Sequence, residues 1–212
     1  MTAAPLISNR AIDARDSDAT LVVLLGPPGA GKGTQCERLA RRLGLTHVST
    51  GHALREEVRR GTRLGALAAR YLDRGRLVPD ALVVDAMTNA IARSGATSGV
   101  LLDGFPRTAP QARLLEDLDL GTVRLAVALI VPRAVLLERL RSRGRADDQI
   151  DVLRTRLISY ETDTRPLLDH YGRRGILVHV DGNRSADEVT ATLAGHLVAA
   201  GVSPARSGPL LV

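Results

Sequence analysis

The chain is poor in the residues on which several protein classes depend. It has one cysteine, Cys36, which excludes an internal disulfide framework and any zinc site built from clustered thiolates. Tryptophan is absent, and Phe105, Tyr71, Tyr160 and Tyr171 are too few aromatics for a platform on which successive bases stack. No apolar run approaches the roughly 20 residues needed to span a bilayer. The opening stretch MTAAPLISNRAIDARDSD lacks a continuous apolar segment and carries Asp13, Asp16 and Asp18, so a secretory signal is not expected. Lysine is scarcer still: of the 29 Lys and Arg residues, all but Lys32 are Arg. Where Arg serves almost everywhere, one retained Lys points to a site that needs a compact point charge rather than a planar fork.

What remains is an ordinary globular composition of 212 residues, 44% hydrophobic and 25% charged, with 20 Gly and 10 Pro. That length fits one domain with small insertions and is ample for a core. The formal charge of +6 invites a nucleic-acid reading, but 23 Asp and Glu are interspersed among the Arg. Neither a nucleic-acid nor a membrane partner is therefore expected, and the cytoplasm is the expected compartment.

Residues 1–18 read as a polar extension and 202–212 as a tail, leaving a domain over 19–201. Within it, apolar runs at Thr20–Leu25, 46–49, 99–102, 123–131 and 175–180 predict strands. Helical spacing predicts helices over 32–43, 52–60, 63–73, 80–93, 108–117, 133–142, 149–171 and 185–200. In the 149–171 helix, Ile150, Leu153, Leu157 and Tyr160 fall on one face, and Pro166 should bend it. Strands alternating with helices imply an α/β fold of three layers, a parallel sheet covered on both faces. The segment 49–78 breaks the alternation and reads as an inserted lobe.

Gly26-Pro27-Pro28-Gly29-Ala30-Gly31-Lys32-Gly33-Thr34 follows the first strand and opens a helix. Its glycines let the backbone wrap closely, so that successive N–H groups meet phosphate oxygens while Lys32 reaches the terminal phosphates. The strict pattern G-x-x-x-x-G-K-[ST] fails at its last position, where Gly33 stands and Thr34 comes one later. Strand, loop, helix and the sole lysine nevertheless agree on a nucleoside triphosphate site. A second apolar strand ends in Asp103, read either as the carboxylate on the Mg²⁺ side of such a loop or as a turn cap.

GPPGAGKGT at 26–34, Ser49-Thr50-Gly51, DGFPRTAPQ at 103–111 and RGRADD at 143–148 together resemble the adenylate kinase family in its short-lid form. The resemblance runs from about Leu21 to Leu197. It implies a P-loop fold with a five-stranded parallel sheet, a monophosphate-binding lobe over 49–78 and a short lid over 142–148, too short for the zinc-binding insert of some relatives. The implied reaction is reversible transfer of the terminal phosphoryl group of Mg²⁺-bound ATP to AMP, giving two ADP, by a monomer. A monophosphate is already largely dianionic near neutral pH, its second pKa being about 6, so the acceptor needs cations rather than a general base.

Carried over by that resemblance, Gly29, Ala30, Gly31, Lys32, Gly33 and Thr34 would hold ATP phosphates. Arg139 and Arg143 would reach ATP from the lid side, and the backbone at Arg184 would meet its adenine. Thr50, Arg55, Arg76, Leu77, Val78, Gly104, Phe105, Pro106, Arg107 and Gln111 would bind AMP, helped by Arg145 and Arg156. Lys32, Arg107, Arg139, Arg143, Arg145 and Arg156 would form the catalytic cage, with Asp103 reaching Mg²⁺ through bound water. Gln111 offers an amide suited to an adenine edge. Relatives that prefer pyrimidine monophosphates usually differ at Thr50 and Gln111.

His52 departs from the family, which normally has Asp directly after Ser-Thr-Gly; it cannot supply that negative charge. Altered metal handling or reduced turnover would follow, unless neighbours compensate. The open alternatives are thus a nucleotide-binding regulator with weakened turnover, a kinase of another nucleoside monophosphate, or an Arg-rich nucleic-acid binder. Asp147 and Asp148 would anchor the lid. His47, His170, His179 and His196 lack metal spacing and read as satisfied structural histidines. Cys36 reads as a buried helix residue whose pKa a nearby helix N-terminus could lower.

Overall fold

The computed structural model describes residues 19–94, 99–118, 120–143 and 149–202, with only the backbone of Arg143. Strands β1 (Thr20–Leu25), β2 (Thr46–Ser49), β3 (Val100–Asp103), β4 (Thr122–Ile130) and β5 (Leu177–Asp181) form one parallel sheet in the spatial order β2-β3-β1-β4-β5. The helices are α1 (Lys32–Leu43), α2 (Thr50–Arg59), α3 (Arg63–Leu72), α4 (Asp80–Ser94), α5 (Ala109–Asp117), α6 (Arg133–Arg143), α7 (Ile150–Ser159), α8 (Pro166–Arg173) and α9 (Ala186–Ala199).

The continuous apolar run of β1 is explained by burial on both sheet faces. Leu21, Val23 and Leu25 point into one core with Val48, Met87, Leu102, Phe105, Leu115 and Tyr171. Val22 and Leu24 point into the other with Leu39, Leu101, Leu129, Leu193 and Leu197. Val202, expected in the tail, packs into this second core. Side chains start several helices: Ser49 accepts from the His52 N–H, Thr62 from Gly65 and Thr108 from Gln111, while Ser185 and Glu188 cap each other reciprocally at α9.

The predicted 149–171 helix is in fact three pieces. A π-helical turn, Tyr160–Thr164, separates α7 from α8. The Arg165 N–H donates to the Tyr160 carbonyl at 2.8 Å, one residue further back than in an α-helix. Pro166 has no N–H, and its ring would crowd the carbonyl four residues earlier, so the chain widens just before it. The predicted apolar face is also corrected at its first residue: Leu153 is buried, but Ile150 is 71% exposed.

All five strands point the same way, so their carboxyl ends share one edge. The connection leaving β1 runs to β2 and that leaving β3 runs to β4, on opposite sides, which opens a crevice between these neighbouring strands. Leu24 of β1 pairs in register with Asp103 of β3 there.

Candidate active site

The loop from β1 to α1 meets this crevice. Gly29 and Gly31 have φ of +85° and +94°, and a Cβ on Gly29 would lie 3.0 Å from both the Leu136 carbonyl oxygen and Leu140 Cγ of α6. Only glycine fits that backbone and that gap. Helix α1 starts without a capping side chain or an acidic residue in its first turn, leaving its N-terminal dipole for an anion. Lys32 Nζ turns back to donate to the Gly26 and Pro27 carbonyl oxygens at 2.7 and 3.0 Å. Burial lowers its pKa to about 8; Asp103 opposes this, and Arg107 and Arg156 add to it.

Asp103 ends β3 with its Oδ2 at 3.7 Å from His47 Nε2 of β2, an ion-pair distance too long for a hydrogen bond. Burial favours its neutral form, but His47, Lys32 and Arg107 outweigh burial and hold the carboxyl below its ordinary pKa. A Cβ on Gly33, where the strict loop pattern has a hydroxyl residue, would sit 3.4 Å from that same Oδ2. Among the described residues no three His, Cys, Asp or Glu gather as a metal site. One ionised carboxylate beside a phosphate loop fits Mg²⁺, whose remaining ligands are water and phosphate rather than a protein cage.

Arg107 is fixed by its own turn: Nε donates to the Gly104 carbonyl oxygen at 2.9 Å. Gly104 has φ +83°, and a Cβ there would come within 2.9 Å of Thr50 Oγ1 and 3.1 Å of Arg107 Nη2. Thr50 Oγ1 in turn donates to the Asp103 carbonyl oxygen at 3.3 Å. Burial lowers the guanidinium pKa, with Asp103 opposing and Arg55 reinforcing.

Two main hollows result. An open cleft of about 740 Å³ is walled by Gly29 to Thr34, Asp103, Arg55, Arg107, Arg139, Arg156 and Arg184, with His47 and His52 also lining it. A smaller hollow is lined by Thr50, Arg55, Arg76, Leu77, Val78, Gly104, Arg107, Gln111 and Arg156. Arg55, Arg107 and Arg156 face both hollows, and Pro106 lines a third, smaller space with Lys32 and Arg156. Most residues expected at the site are thus brought together. Phe105 is the exception, its side chain being 1% exposed and packed in the core. Arg184 stands at the cleft rim, paired with Asp181 and Glu188 at 3.5 and 3.7 Å. The Arg143 side chain and all of Arg145, Asp147 and Asp148 lie outside the described residues.

Two residues at the site escaped the sequence reading. His47 is corrected from a satisfied structural histidine to a cleft residue beside Asp103, with no hydrogen-bond partner for Nε2 among the described residues. Asp80 accepts from Gln111 Nε2 at 2.8 Å across a sequence separation of 31. The only local signal there is a helix start after Pro79. Cys36 is buried as expected, and burial pushes its thiol pKa up rather than down.

A phosphate loop at the carboxyl edge of a parallel sheet, opening toward a second, cation-walled hollow, places the chain among the phosphate-loop nucleotide-binding proteins. The comparisons specify which. The family model described as "Adenylate kinase" matches residues 24–176. An adenylate kinase of Porphyromonas gingivalis is 43% identical over 180 residues, covering 82% of this chain and 93% of its own. That of Corynebacterium glutamicum is 44% identical over 173 residues, with coverage of 80% and 94%. That of Parasynechococcus marenigrum is 48% identical over 172 residues, with coverage of 80% and 93%. This chain belongs to the adenylate kinase family, the ATP:AMP phosphotransferases.

Proposed function

We propose that the open cleft seats ATP, the smaller Gln111-lined cavity seats AMP, and that the γ-phosphoryl group passes between them in line to give two ADP. The observation that carries this is the wall shared by the hollows: Arg55, Arg107 and Arg156 face both. A phosphate oxygen of AMP attacks the γ-phosphorus as its bond to the β-phosphate oxygen breaks. The attacking group is already dianionic, so no residue need take a proton. The cations that face both hollows stay in contact with the migrating charge from donor to acceptor. Lys32 leaves the carbonyls of its own loop for the β- and γ-phosphates. Asp103 would hold Mg²⁺ through bound water, and the ion would supply charge neutralisation at the triphosphate.

Residues 49–78 act as the monophosphate lobe and 142–148 as the lid, closing over both nucleotides so that water is kept from the γ-phosphate. The protein works as a monomer with nucleotides as its partners. No helix among the described residues is long and apolar enough to cross a membrane, and the cytoplasm is where we place it.

The test is ADP formation from Mg·ATP with each nucleoside monophosphate in turn, beside Lys32→Met. Turnover is expected with AMP, and the variant should lose at least about a hundredfold, as when one preorganised electrostatic contact is removed. Nucleotide binding without turnover on any acceptor would overturn the reading in favour of a regulator.

A further inference from the structure

The acceptor cavity holds one lining side chain that can both donate to and accept from the edge of a base through separate atoms, and its orientation is chemically forced. Gln111 is 1% exposed, in the first turn of α5. Its Oε1 accepts from the Arg107 backbone N–H at 2.7 Å. Its Nε2 donates to Asp80 Oδ1, the first residue of α4, at 2.8 Å. A backbone N–H can only donate and a carboxylate can only accept, so the amide cannot be turned over without placing donor against donor at one end and acceptor against acceptor at the other.

This matters because a carboxamide fits two kinds of purine edge, one in each orientation. A 6-aminopurine presents an acceptor at N1 and a donor at its amino group. A 6-oxopurine presents the reverse, N1–H and O6. With the sugar phosphate held by the arginines of the cavity, the base pose is fixed, and the amide orientation decides which edge is satisfied. Each locked end uses one hydrogen-bonding position of the amide, leaving one N–H and one lone pair for a ligand. A site whose buried polar groups are fixed in advance rejects the mismatched edge strongly, because the wrong base leaves those groups unpaired.

We propose that Asp80 is a specificity-determining positioning residue: together with the Arg107 N–H it locks the Gln111 amide so that the cavity takes a 6-aminopurine monophosphate and rejects a 6-oxopurine one. The inference rests on the reading of this cavity as the AMP seat. Asp80 does not line the cavity itself and acts through Gln111 alone.

The experiment compares kcat/KM for AMP and for inosine monophosphate in the wild-type chain, in Asp80→Asn and in Asp80→Ala, with KM for ATP and thermal midpoint followed in parallel. The wild type should prefer AMP by at least about a hundredfold, as sites built to pair one hydrogen-bonding edge do. In Asp80→Asn the preference should shrink about tenfold or more, since the amide loses a charge-assisted partner and only Arg107 still orients it. KM for ATP and the thermal midpoint should hold. Equal losses for both acceptors, or an unchanged ratio in both variants, would overturn the proposal and leave Asp80 a structural cap. Comparable use of the two acceptors by the wild type would overturn it without any variant. A wild type that phosphorylates inosine monophosphate but not AMP, or neither, would instead show that the seat itself was misread, and the lock with it.

Discussion

At the scale of single residues, the site is a balance between one carboxylate and several cations buried beside it. Lys32 is where that balance is most exposed to experiment. Its folded pKa of about 8 lies below the ordinary 10.5, so between these values the unliganded protein binds fewer protons than the unfolded chain. The cost of burying the charged ammonium is therefore full below pH 8 and is relieved as pH rises toward 10.5. Triphosphate anions reverse the preference by favouring the charged form. Binding of ATP near pH 8 to 9 should accordingly take up protons, seen in calorimetry as a dependence of the binding heat on buffer ionisation enthalpy. That dependence should shrink toward pH 7, where Lys32 is already protonated, and vanish in Lys32→Met. Uptake that persists in the variant would assign the proton elsewhere.

His52 makes the opposite test, because it is a charge the site lacks. It is exposed in the first turn of α2, its N–H capped by Ser49 Oγ at 3.4 Å, on the cleft wall with Asp103 and Lys32. Asp at this position would add an anion at a helix N-terminus, a favourable placement worth about 0.3–1 kcal/mol. His52→Asp should raise the stability of the unliganded protein by that amount, and the added carboxylate on the cleft wall should lower the Mg²⁺ concentration for half-maximal rate by attracting the cation. An unchanged Mg²⁺ titration would show that the residues around the loop already compensate.

At the scale of elements, the proposed monophosphate lobe has one close crossing, between α2 and α3. A Cβ on Gly65 of α3 would sit 2.2 Å from the Glu57 carbonyl oxygen and 2.6 Å from the Val58 nitrogen of α2. The same junction is tied by Thr62, which accepts from the Gly65 N–H at 3.0 Å and donates to Glu57 Oε2 at 2.7 Å. Gly65→Ala must push the two helices apart, with an overpacking cost of about 1–3 kcal/mol. Because α2 carries Thr50 and Arg55, KM for AMP should rise while KM for ATP holds, and the thermal midpoint should fall. A rise in both KM values would mean that the lobe is coupled to the donor side.

Elements were legible in the sequence wherever burial is two-sided. The runs TLVVLL and VLLD ended within a residue of their structural limits. The stretch 149–171 was misread because helical periodicity continues through it. A π-turn adds a residue to the helix without breaking the apolar spacing enough to show, and Pro166 marked only that something must bend. The site divides in the same way. The phosphate loop and DGFPR are local in sequence, so the backbone they need is written in their glycines. His47 and Asp80 reach their partners from other elements, at separations that no spacing rule spans. Phe105 sits inside a motif whose neighbours face the cavity, yet its own side chain turns to the core.

At the scale of the whole molecule, the cleft over the phosphate loop stands open to solvent, which does not suit the chemistry proposed for it. A γ-phosphate placed there would meet water as readily as an acceptor, and electrostatic stabilisation is strongest where water is excluded. Gly75, with φ +64°, lies between α3 and α4, and a Cβ there would come within 2.8 Å of the Val152 carbonyl oxygen of α7. That close approach ties the α3–α4 connection to α7, so under the proposed function movement of one should be felt by the other. The single-cysteine composition makes the motion measurable. Cys36 is fully buried with its thiol pKa raised, so labels will go to cysteines introduced at exposed positions, Arg70→Cys on α3 and Arg141→Cys on α6. The distance between them should shorten modestly with either nucleotide alone. It should shorten most with a bisubstrate analogue that joins both, because only that ligand gives each moving part a contact in the closed state. ATP hydrolysis without an acceptor should then be slow relative to transfer. A distance indifferent to the analogue, with transfer still outrunning hydrolysis, would mean that the arginines around the two seats select the acceptor over water without closure.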